Sequence, residues 1–316
     1  MAKSACVIGS NGQDGRFLVK ELLNKSYKVF AVGKSDQPKF IENKKDLKYF
    51  NIDLRNENEL NSFLNKNYFN KIFHFASVHG SHGISYEKIW HDLIKVNTQS
   101  IYSILENIRN RSLDTKIIYA SSSKVFGKKL PNMISDITIP NPECMYSISK
   151  DTSARLLNYY RIEHGIQSSV VHLFNHESQF RPQEFFIPKI LDALIKALNN
   201  KYFEKVNINN LDFHCNWGSA EEYMQYVIEM SYFDIPRYCL GNKKSTYAKK
   251  LVNDLFKNFN LNYKDFINEK SKSNTNVDNI QHLEMNGIIN LIGQTPEIGI
   301  FDLCLDLLNI ANEKIL

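Results

Sequence analysis

Residues 5–15 read Ala-Cys-Val-Ile-Gly-Ser-Asn-Gly-Gln-Asp-Gly, and this stretch decides the fold. Its first four residues form an apolar run typical of a buried strand, and an apolar helical periodicity starts at Phe17, just after the last glycine. A strand, a glycine-rich loop and a helix in this order predict a loop whose backbone N–H groups approach a pyrophosphate at the helix N-terminus. An ordinary glycine-rich turn is the alternative interpretation.

The rest of the chain continues the alternation of strands and helices. Apolar runs predict strands at 28–32, 71–76, 116–120 and 169–173, and a further strand that residues 51–54 close. This order predicts an α/β fold, a Rossmann-like doubly wound parallel sheet with a smaller C-terminal substrate-binding lobe. We expect residues 1–173 to form an NAD(P)-binding Rossmann domain. Residues 174–316 are expected to form mainly the substrate lobe, with possible segments that return to the sheet.

Shorter helical patterns distinguish the second part of the chain. They predict helices at 187–198, 220–230 and 249–259. A long helix is predicted earlier, from about Trp90 to Arg109, and it contains Asn97, which is either a buried residue at a helix bend or an ordinary polar residue. Residues 269–279 are polar enough to predict a mobile loop.

The residue type after the second strand bears on the choice of cofactor. An acidic residue there would bind a ribose 2′-hydroxyl, whereas Lys34 favours a 2′-phosphate and therefore NADP, with NAD still possible. A solvated loop lysine is the alternative. Asp53 could accept a hydrogen bond from an adenine amino group or cap the helix that starts near Glu57. The full set of predicted cofactor contacts is Gly9, Asn11, Gly12, Gln13, Asp14, Gly15, Lys34, Asp53, Leu54, Ala76, Asn97, Tyr146 and Lys150.

Tyr146 and Lys150 are spaced so that both side chains lie on one face of a helix. An ammonium group near a phenol favours the phenolate, which can then act as a base. Ser122 belongs to a serine run at the end of a predicted strand, and its hydroxyl could donate to the oxygen of a substrate alcohol or ketone. With a nicotinamide cofactor opposite, these three residues would support reversible hydride transfer.

Composition excludes several classes of protein. The 316 residues are 43% hydrophobic, which suits a folded protein with a large core, and the charge of +5 fits a phosphorylated small molecule or a mildly basic surface. No apolar run reaches the roughly 18 residues of a membrane span, and residues 1–5 lead directly into a strand, so we expect a cytoplasmic protein without a membrane or nucleic-acid partner. The five cysteines lack paired spacing, and His79 and His82 lack a third ligand, so neither disulfides nor a metal site is predicted.

Together these motifs resemble the extended short-chain dehydrogenase/reductase family, and within it the GDP-mannose 4,6-dehydratase branch. The resemblance rests on the three-and-three spacing of Gly9, Gly12 and Gly15, on the phrase at 173–178 and on the residues at 210–223. It implies a GDP-sugar substrate and a homodimer or homotetramer. Asn175 and Lys189 are implied to contact its diphosphate. The predicted substrate contacts also include Ser123, Glu177, and Ser81 and His82 of the segment 77–85, which is predicted to be an active-site loop or simply an exposed one. Lys189 near a helix start also suits a phosphate, and a solvated helix lysine is the alternative.

Two departures from the family pattern leave the reaction open. Lys124 stands where retaining dehydratases have the glutamate that takes the proton from carbon 5, and a lysine with a lowered pKa could serve as that base. Cys215 stands where the family has an arginine for phosphate, so the diphosphate must be held more weakly or from elsewhere. The leading hypothesis is a 4,6-dehydratase-like reaction through a 4-keto intermediate. A 4-reductase, 4-dehydrogenase or 4-epimerase is the first alternative, and a non-catalytic nucleotide sensor or scaffold is the second.

Overall fold

A seven-stranded parallel sheet forms the centre of the protein. The computed structural model describes residues 3–39, 45–80, 85–199, 204–270 and 281–313. The strands in chain order are β1 (Ser4–Ile8), β2 (Lys28–Gly33), β3 (Leu47–Asn51), β4 (Lys71–His74), β5 (Lys116–Ser122), β6 (Met133–Ser135), β7 (Ser168–Leu173), β8 (Asn175–Glu177), β9 (Val206–Ile208), β10 (His214–Cys215), β11 (Trp217–Ser219), β12 (Arg237–Leu240), β13 (Thr246–Tyr247), β14 (Ile267–Glu269) and β15 (His282–Glu284). The central sheet has the order β12-β7-β5-β4-β1-β2-β3, and every pairing within it is parallel.

Helices cover both faces of the sheet. They are α1 (Gln13–Asn24), α2 (Glu57–Lys66), α3 (Trp90–Leu93), α4 (Ser100–Asn110), α5 (Met145–His164), α6 (Phe186–Leu198), α7 (Ala220–Met230), α8 (Ala248–Lys257), α9 (Asn286–Ile292) and α10 (Ile300–Glu313). On one face α1 and α7 share an apolar core with the strands, and on the other face α2, α4 and α5 do so. Because both faces are covered, β1 and β7 are buried along their whole length, as continuous apolar strands of parallel sheets usually are. The predicted doubly wound fold is therefore confirmed.

A third apolar core, separate from those on the two faces of the sheet, lies within the later part of the chain. Side chains of α6, α8 and α10 pack there around Trp217 and its neighbours. The segment from α7 to β12 nevertheless belongs to the layers around the central sheet, because α7 packs on α1 and β12 adds an edge strand beside β7. Among the described residues, no helix is long and apolar enough to cross a membrane.

The third strand and the long helix differ from their predictions. β3 ends at Asn51 rather than continuing to Leu54, because the chain turns there and Asn56 N–H donates to the carbonyl of Asp53. The long helix is interrupted by a π-helical turn at Ile94–Gln99, between α3 and α4. Such turns often accompany functional sites. Residues 271–279 of the predicted mobile loop lie outside the described residues.

Candidate active site

The glycine loop after β1 is held very close to the strand end of β4. Gly9 has φ +93°, and a Cβ atom there would lie 2.4 Å from the backbone nitrogen of Ala76. A Cβ atom on Gly15 would lie 2.2 Å from the carbonyl oxygen of Gly9. Only glycine fits these two positions, so the backbone itself forms the wall of the site. A cleft of about 380 Å³ opens along this wall, and we call it the glycine-loop cleft.

The glycine-loop cleft is lined by most of the predicted cofactor contacts. These are Gly9, Asn11, Gly12, Lys34, Asp53, Leu54 and Ala76. Ser35, Lys39 and Arg55 complete the same end of the cleft and were not predicted. Arg55 Nε donates to Asp53 Oδ1 over 3.0 Å, and this pair lowers the pKa of the carboxyl group. Asp53 does not cap the following helix, because the Asn56 side chain accepts from the backbone N–H of Glu59 instead.

Asn11 shapes the rim of the glycine-loop cleft. Its Oδ1 accepts from the backbone N–H of Lys39 at 2.8 Å, and its Nδ2 donates to the Tyr49 hydroxyl at 2.9 Å. The Tyr49 hydroxyl in turn donates to the carbonyl of Ser35. This network fixes the segment after β2 next to the glycine loop, so that the cations of that segment face the cleft.

Gln13 and Asp14 connect the glycine loop to the segment that follows β7. Gln13 Nε2 donates to the carbonyl of His176, and the Ser178 hydroxyl donates to Gln13 Oε1. Asp14 Oδ1 lies 2.9 Å from His176 Nε2. Burial alone would raise the pKa of Asp14, but His176 outweighs it and the pKa is lowered. Burial would likewise lower the pKa of His176, and the Asp14 carboxylate raises it. Two of the three sequence features that carry the family resemblance, the glycine loop and the phrase at 173–178, are therefore in direct contact.

Asn97 lies in the π-helical turn and is fully buried. Its Oδ1 accepts from the backbone N–H of Val78 at 2.9 Å, and its Nδ2 donates to the Ser149 hydroxyl at 3.0 Å. Asn97 thus connects the chain after β4 to Ser149 in α5, which is the residue before Lys150. Asn97 does not itself line the glycine-loop cleft, so the structure places it as a support for the groups around the site.

A second cavity, of about 220 Å³, surrounds Tyr146, and we call it the tyrosine cavity. The four predicted catalytic side chains, Ser122, Lys124, Tyr146 and Lys150, all line it. β5 delivers Ser122 at its carboxyl end, and α5 presents Tyr146 and Lys150 on one face. Phe75 and Ser77 line both this cavity and the glycine-loop cleft, so the two spaces adjoin.

Burial governs the ionisation of Tyr146 and Lys150. It raises the pKa of the Tyr146 phenol to about 12, although the hydroxyls of Ser77 and Ser122 lower it as hydrogen-bond partners. It lowers the pKa of Lys150 to about 7, against the opposing charge of Asp14. Lys150 Nζ donates to the carbonyl of Ala120 at 2.9 Å and lies 5.9 Å from the Tyr146 ring centroid. The expected fall in the phenol pKa is absent because desolvation disfavours both charged forms.

Lys124 reaches the tyrosine cavity from the turn after β5. Its Nζ lies 3.1 Å from His79 Nε2 and 5.8 Å from the Tyr146 ring centroid. Partial desolvation lowers its pKa, and the charge of Arg181 adds to this effect. Burial, followed by the charge of Lys124, lowers the pKa of His79 to about 4, so this imidazole is neutral at ordinary pH. A neutral His79 accepts a hydrogen bond from the Lys124 ammonium.

An outer cleft of about 370 Å³ adjoins the tyrosine cavity, because Lys124 and Asn175 line both. Ser123 also lines the outer cleft. Glu177 is almost fully buried, and Lys189 is a half-buried residue in the first turn of α6; neither of them lines these two spaces. Ser81 and His82 lie outside the described residues.

The predicted site residues omit several polar side chains of the tyrosine cavity, among them Ser77, His79, His176 and Arg181, although Ser77 and His79 belong to the loop predicted to face the active site. Ser77 and His79 follow β4, and polar residues at the carboxyl end of a parallel strand are a usable signal. Arg181 carries no such signal, since it follows the short strand β8 and its position depends on the path of the loop. Asp14 was predicted to contact the cofactor, and it also lines this cavity.

A Rossmann-like sheet with Ser122, Tyr146 and Lys150 converging at the carboxyl ends of its strands defines an enzyme of the extended short-chain dehydrogenase/reductase class. The sequence profile of GDP-mannose 4,6 dehydratase matches residues 6–287, and the chain belongs to this family. A curated relative, GDP-mannose 4,6 dehydratase 1 of Arabidopsis thaliana, is 28% identical over 94% of this chain and 86% of its own length. The resemblance read from the sequence is thereby confirmed.

Solved structures of nucleotide-sugar enzymes share the fold over nearly the whole chain. UDP-N-acetylglucosamine 4-epimerase of Methanobrevibacter ruminantium M1 has a TM-score of 0.82 at 17% identity and covers 99% of both chains. The dTDP-glucose 4,6-dehydratase of Bacillus anthracis, solved in complex with NAD, has a TM-score of 0.79 at 15% identity and covers 99% of this chain and 97% of its own. At these identities the likeness concerns the fold.

Proposed function

We propose that this enzyme acts on a GDP-sugar with NADP and carries out a GDP-mannose 4,6-dehydratase-like reaction. The observation that carries the proposal is the convergence of Ser122, Tyr146, Lys150 and Lys124 on one cavity that adjoins the glycine-loop cleft. Membership of the GDP-mannose 4,6 dehydratase family supports the GDP-sugar. A cytoplasmic homodimer or homotetramer is part of the proposal, and analytical ultracentrifugation tests the assembly.

The glycine-loop cleft fits a dinucleotide. A Cβ atom on Gly9 or Gly15 would overlap neighbouring backbone, so these glycines allow the tight loop that leads into the N-terminus of α1, where a pyrophosphate is favoured. Three cations, Lys34, Lys39 and Arg55, line its end beside β2, which favours a 2′-phosphate and hence NADP. When bound there, such a cofactor would supply reversible hydride transfer at the sugar.

Tyr146 serves as the base for the hydroxyl group on carbon 4. Ser122 contacts the Tyr146 phenol and would donate to the oxygen that becomes a ketone. Lys150 in its ammonium form supplies the nearby positive charge that a phenolate requires in this buried place. The proton from the carbon 4 hydroxyl then resides on Tyr146.

Lys124 serves as the base for carbon 5, whose proton is acidified by the ketone. A neutral Lys124 amine takes this proton, and its lowered pKa increases the fraction of neutral amine at a given pH. The hydroxyl of carbon 6 leaves as water with the proton held by Tyr146. Lys124 then returns its proton to carbon 5, so that both bases regain their starting states and one water is lost.

Chemistry confined to carbon 4 is the second candidate. Among the described residues that line the tyrosine cavity, Asp14 is the one carboxylate, and it is engaged by His176. If Lys124 stays protonated during turnover, no free carboxylate of the described cavity lining accepts the carbon 5 proton, and the neutral His79 imidazole, with a pKa of about 4, is a weak base for it. A reductase, dehydrogenase or epimerase acting at carbon 4 would then result, with Ser122, Tyr146 and Lys150 in the same roles.

The mass of the product decides between these candidates. The protein is incubated with NADP and GDP-mannose, then with other GDP-hexoses and GDP-heptoses, and the products are analysed by mass spectrometry. Dehydration predicts the loss of one water and incorporation of deuterium at carbon 5 from D₂O. A keto-sugar or an epimer with all its oxygen atoms would support the second candidate. Absence of turnover with every GDP-sugar, despite tight binding of NADP, would favour a non-catalytic nucleotide sensor or scaffold.

A further inference from the structure

A separate cleft opens beside α5, apart from the spaces described above. It has a volume of about 510 Å³, which lies within the usual range of small-molecule sites, and we call it the arginine cleft. Its walls are formed by α5, by the strands β7 and β12 and by the chain that precedes α5. None of its described lining residues also lines the glycine-loop cleft, the tyrosine cavity or the outer cleft. A ligand bound here would therefore be additional to the cofactor and the substrate.

Positive charge dominates the lining of the arginine cleft. Arg155, Arg161 and Arg237 line it, and Asp151 is the one acidic residue among the described lining residues. Asp151 Oδ2 lies 2.7 Å from Arg155 Nε, and Arg161 pairs with Asp234, which does not line the cleft. Two of the three arginines are thus paired with carboxylates, and Arg237 is not.

Arg237 carries the charge that remains unpaired. It is the first residue of β12 and is half-buried, and its guanidinium makes no hydrogen bond or ion pair within the described part of the chain. Burial raises the pKa of Asp136 and the charge of Arg237 opposes this rise, yet the Asp136 carboxylate accepts from the backbone N–H groups of Cys239 and Gly287 instead. Because a guanidinium stays protonated in proteins, Arg237 offers the cleft a permanent cation with free donors.

Two other polar side chains of the arginine cleft are not engaged either. His172 is 3% exposed, and its Nδ1 is buried without a hydrogen-bond partner among the described residues. Burial, followed by the charge of Arg237, lowers the pKa of His172 to about 3, so the imidazole is neutral. Asn158 lines the cleft from the exposed side of α5, and its side-chain amide makes no hydrogen bond to a described group. A buried polar atom without a partner is costly, and a bound ligand can remove this cost.

Apolar residues form the remainder of the lining. They are Ile139, Pro140, Ala154, Val170 and Pro236. Ile139 is 82% exposed although its side chain is large and apolar, so it is available to the body of a ligand. The arginine cleft therefore combines cationic and amide donors with apolar contact area in one concave space, as small-molecule sites do.

We propose that the arginine cleft binds a small phosphate monoester, with the phosphate at Arg237 and the body of the molecule against the apolar residues. The planar guanidinium can donate to two phosphate oxygens at once, and the excess of positive charge suits a dianion. The Asn158 amide and the neutral His172 ring each offer a further donor. This site goes beyond the proposed function, and its occupant would contact the helix that carries Tyr146 and Lys150.

Isothermal titration of the full chain with phenyl phosphate tests this proposal without turnover. Phenol, which lacks the phosphate, and inorganic phosphate, which lacks the apolar body, are titrated for comparison, and phenyl phosphate should bind more tightly than either. Arg237→Gln is expected to weaken its binding about 10- to 100-fold through the loss of one or two charged hydrogen bonds, and Arg237→Lys should keep part of the affinity. Arg109→Gln is the matched control and should leave binding unchanged, because Arg109 pairs with Glu106 on the exposed side of α4.

Two further variants keep the test decisive. Asn158→Ala changes an exposed residue of α5 and should weaken binding of phenyl phosphate about 2- to 10-fold, so it decides the question if thermal unfolding shows that Arg237→Gln is not folded. Arg55→Gln alters the glycine-loop cleft, where a phosphate could also bind. A loss of affinity in Arg55→Gln with none in Arg237→Gln and Asn158→Ala would overturn the proposal. So would a wild type that binds phenyl phosphate no more tightly than phenol or inorganic phosphate.

Discussion

Replacing Asp14→Asn should destabilise the protein most strongly at mildly acid pH. Asp14 and His176 form a pair whose side chains are 20% and 11% exposed, with 2.9 Å between Oδ1 and Nε2. Removing one partner of a buried ion pair costs about 3–5 kcal/mol. We expect about 3 kcal/mol, because the asparagine carbonyl can still accept from His176. For a chain of this size that lowers Tm by roughly 4–5 °C.

The two pKa shifts set the pH window of this effect. The pKa of His176 is raised above its ordinary 6.5, so its stabilisation is full below that pH and is lost as pH rises through the folded pKa. The pKa of Asp14 is lowered below 3.8, so its stabilisation is present above that pH and is lost in stronger acid. The difference between wild type and variant should therefore be greatest between about pH 4 and 6.5 and shrink to about 1 kcal/mol near pH 9, where a neutral hydrogen bond remains.

Urea unfolding followed by circular dichroism at pH 6 and pH 9 measures both differences. Asp192→Asn is the matched control, because Asp192 pairs with Lys196 on the exposed side of α6, with 43% and 42% of the two side chains accessible. Such surface pairs contribute less than about 1 kcal/mol at either pH. Equal stability of wild type and Asp14→Asn at pH 6, or a larger loss at pH 9 than at pH 6, would refute the reasoning.

Three further variants test the remaining parts of the site. Lys124→Met should slow deuterium exchange at carbon 5 about 10²- to 10⁴-fold in NMR spectra while oxidation at carbon 4 continues, and undiminished exchange would exclude Lys124 as the base. His79→Leu removes the acceptor of the Lys124 ammonium, so the Lys124 pKa and with it the pH at half-maximal carbon 5 exchange should fall, whereas an unchanged pH profile would argue against the contact. Lys34→Ala should weaken NADP binding several-fold and leave NAD binding unchanged in fluorescence titrations, and equal losses for both would contradict the 2′-phosphate assignment.

The parts of the fold that the sequence predicted depend on short-range patterns. Strands buried on both faces must be apolar throughout, so β1, β5 and β7 were recognisable, and the four-residue spacing of Tyr146 and Lys150 places both on one helix face. The exact extent of α7, at Ala220–Met230, matches its periodicity. These features follow from local geometry and from burial alone.

What could not be predicted depends on contacts between distant segments. Both Asp53 and Asn56 can cap a helix, and only the path of the turn after β3 selects Asn56. The raised pKa of Tyr146 results from burial, which residue spacing does not report. Arg181 reaches the cavity through the loop after β8, and Cys215, whose sulfur lies 2.7 Å from Asn175 Nδ2, comes from the distant strand β10. Contacts between residues that are distant in the sequence therefore determine the properties of the site, and local motifs do not report these contacts.

Single-turnover oxidation by the Tyr146→Phe variant tests the central claim most directly. The phenol that contacts Ser122 is the group to which we assign proton removal at carbon 4, and phenylalanine keeps the ring while removing the hydroxyl. The variant is loaded with NADP, mixed with the GDP-sugar that the wild type turns over, and followed by the absorbance of the reduced nicotinamide. We predict intact NADP binding with at least a roughly 10²-fold slower appearance of the reduced cofactor. Oxidation at the wild-type rate would contradict the assignment of this cavity as the hydride-transfer centre.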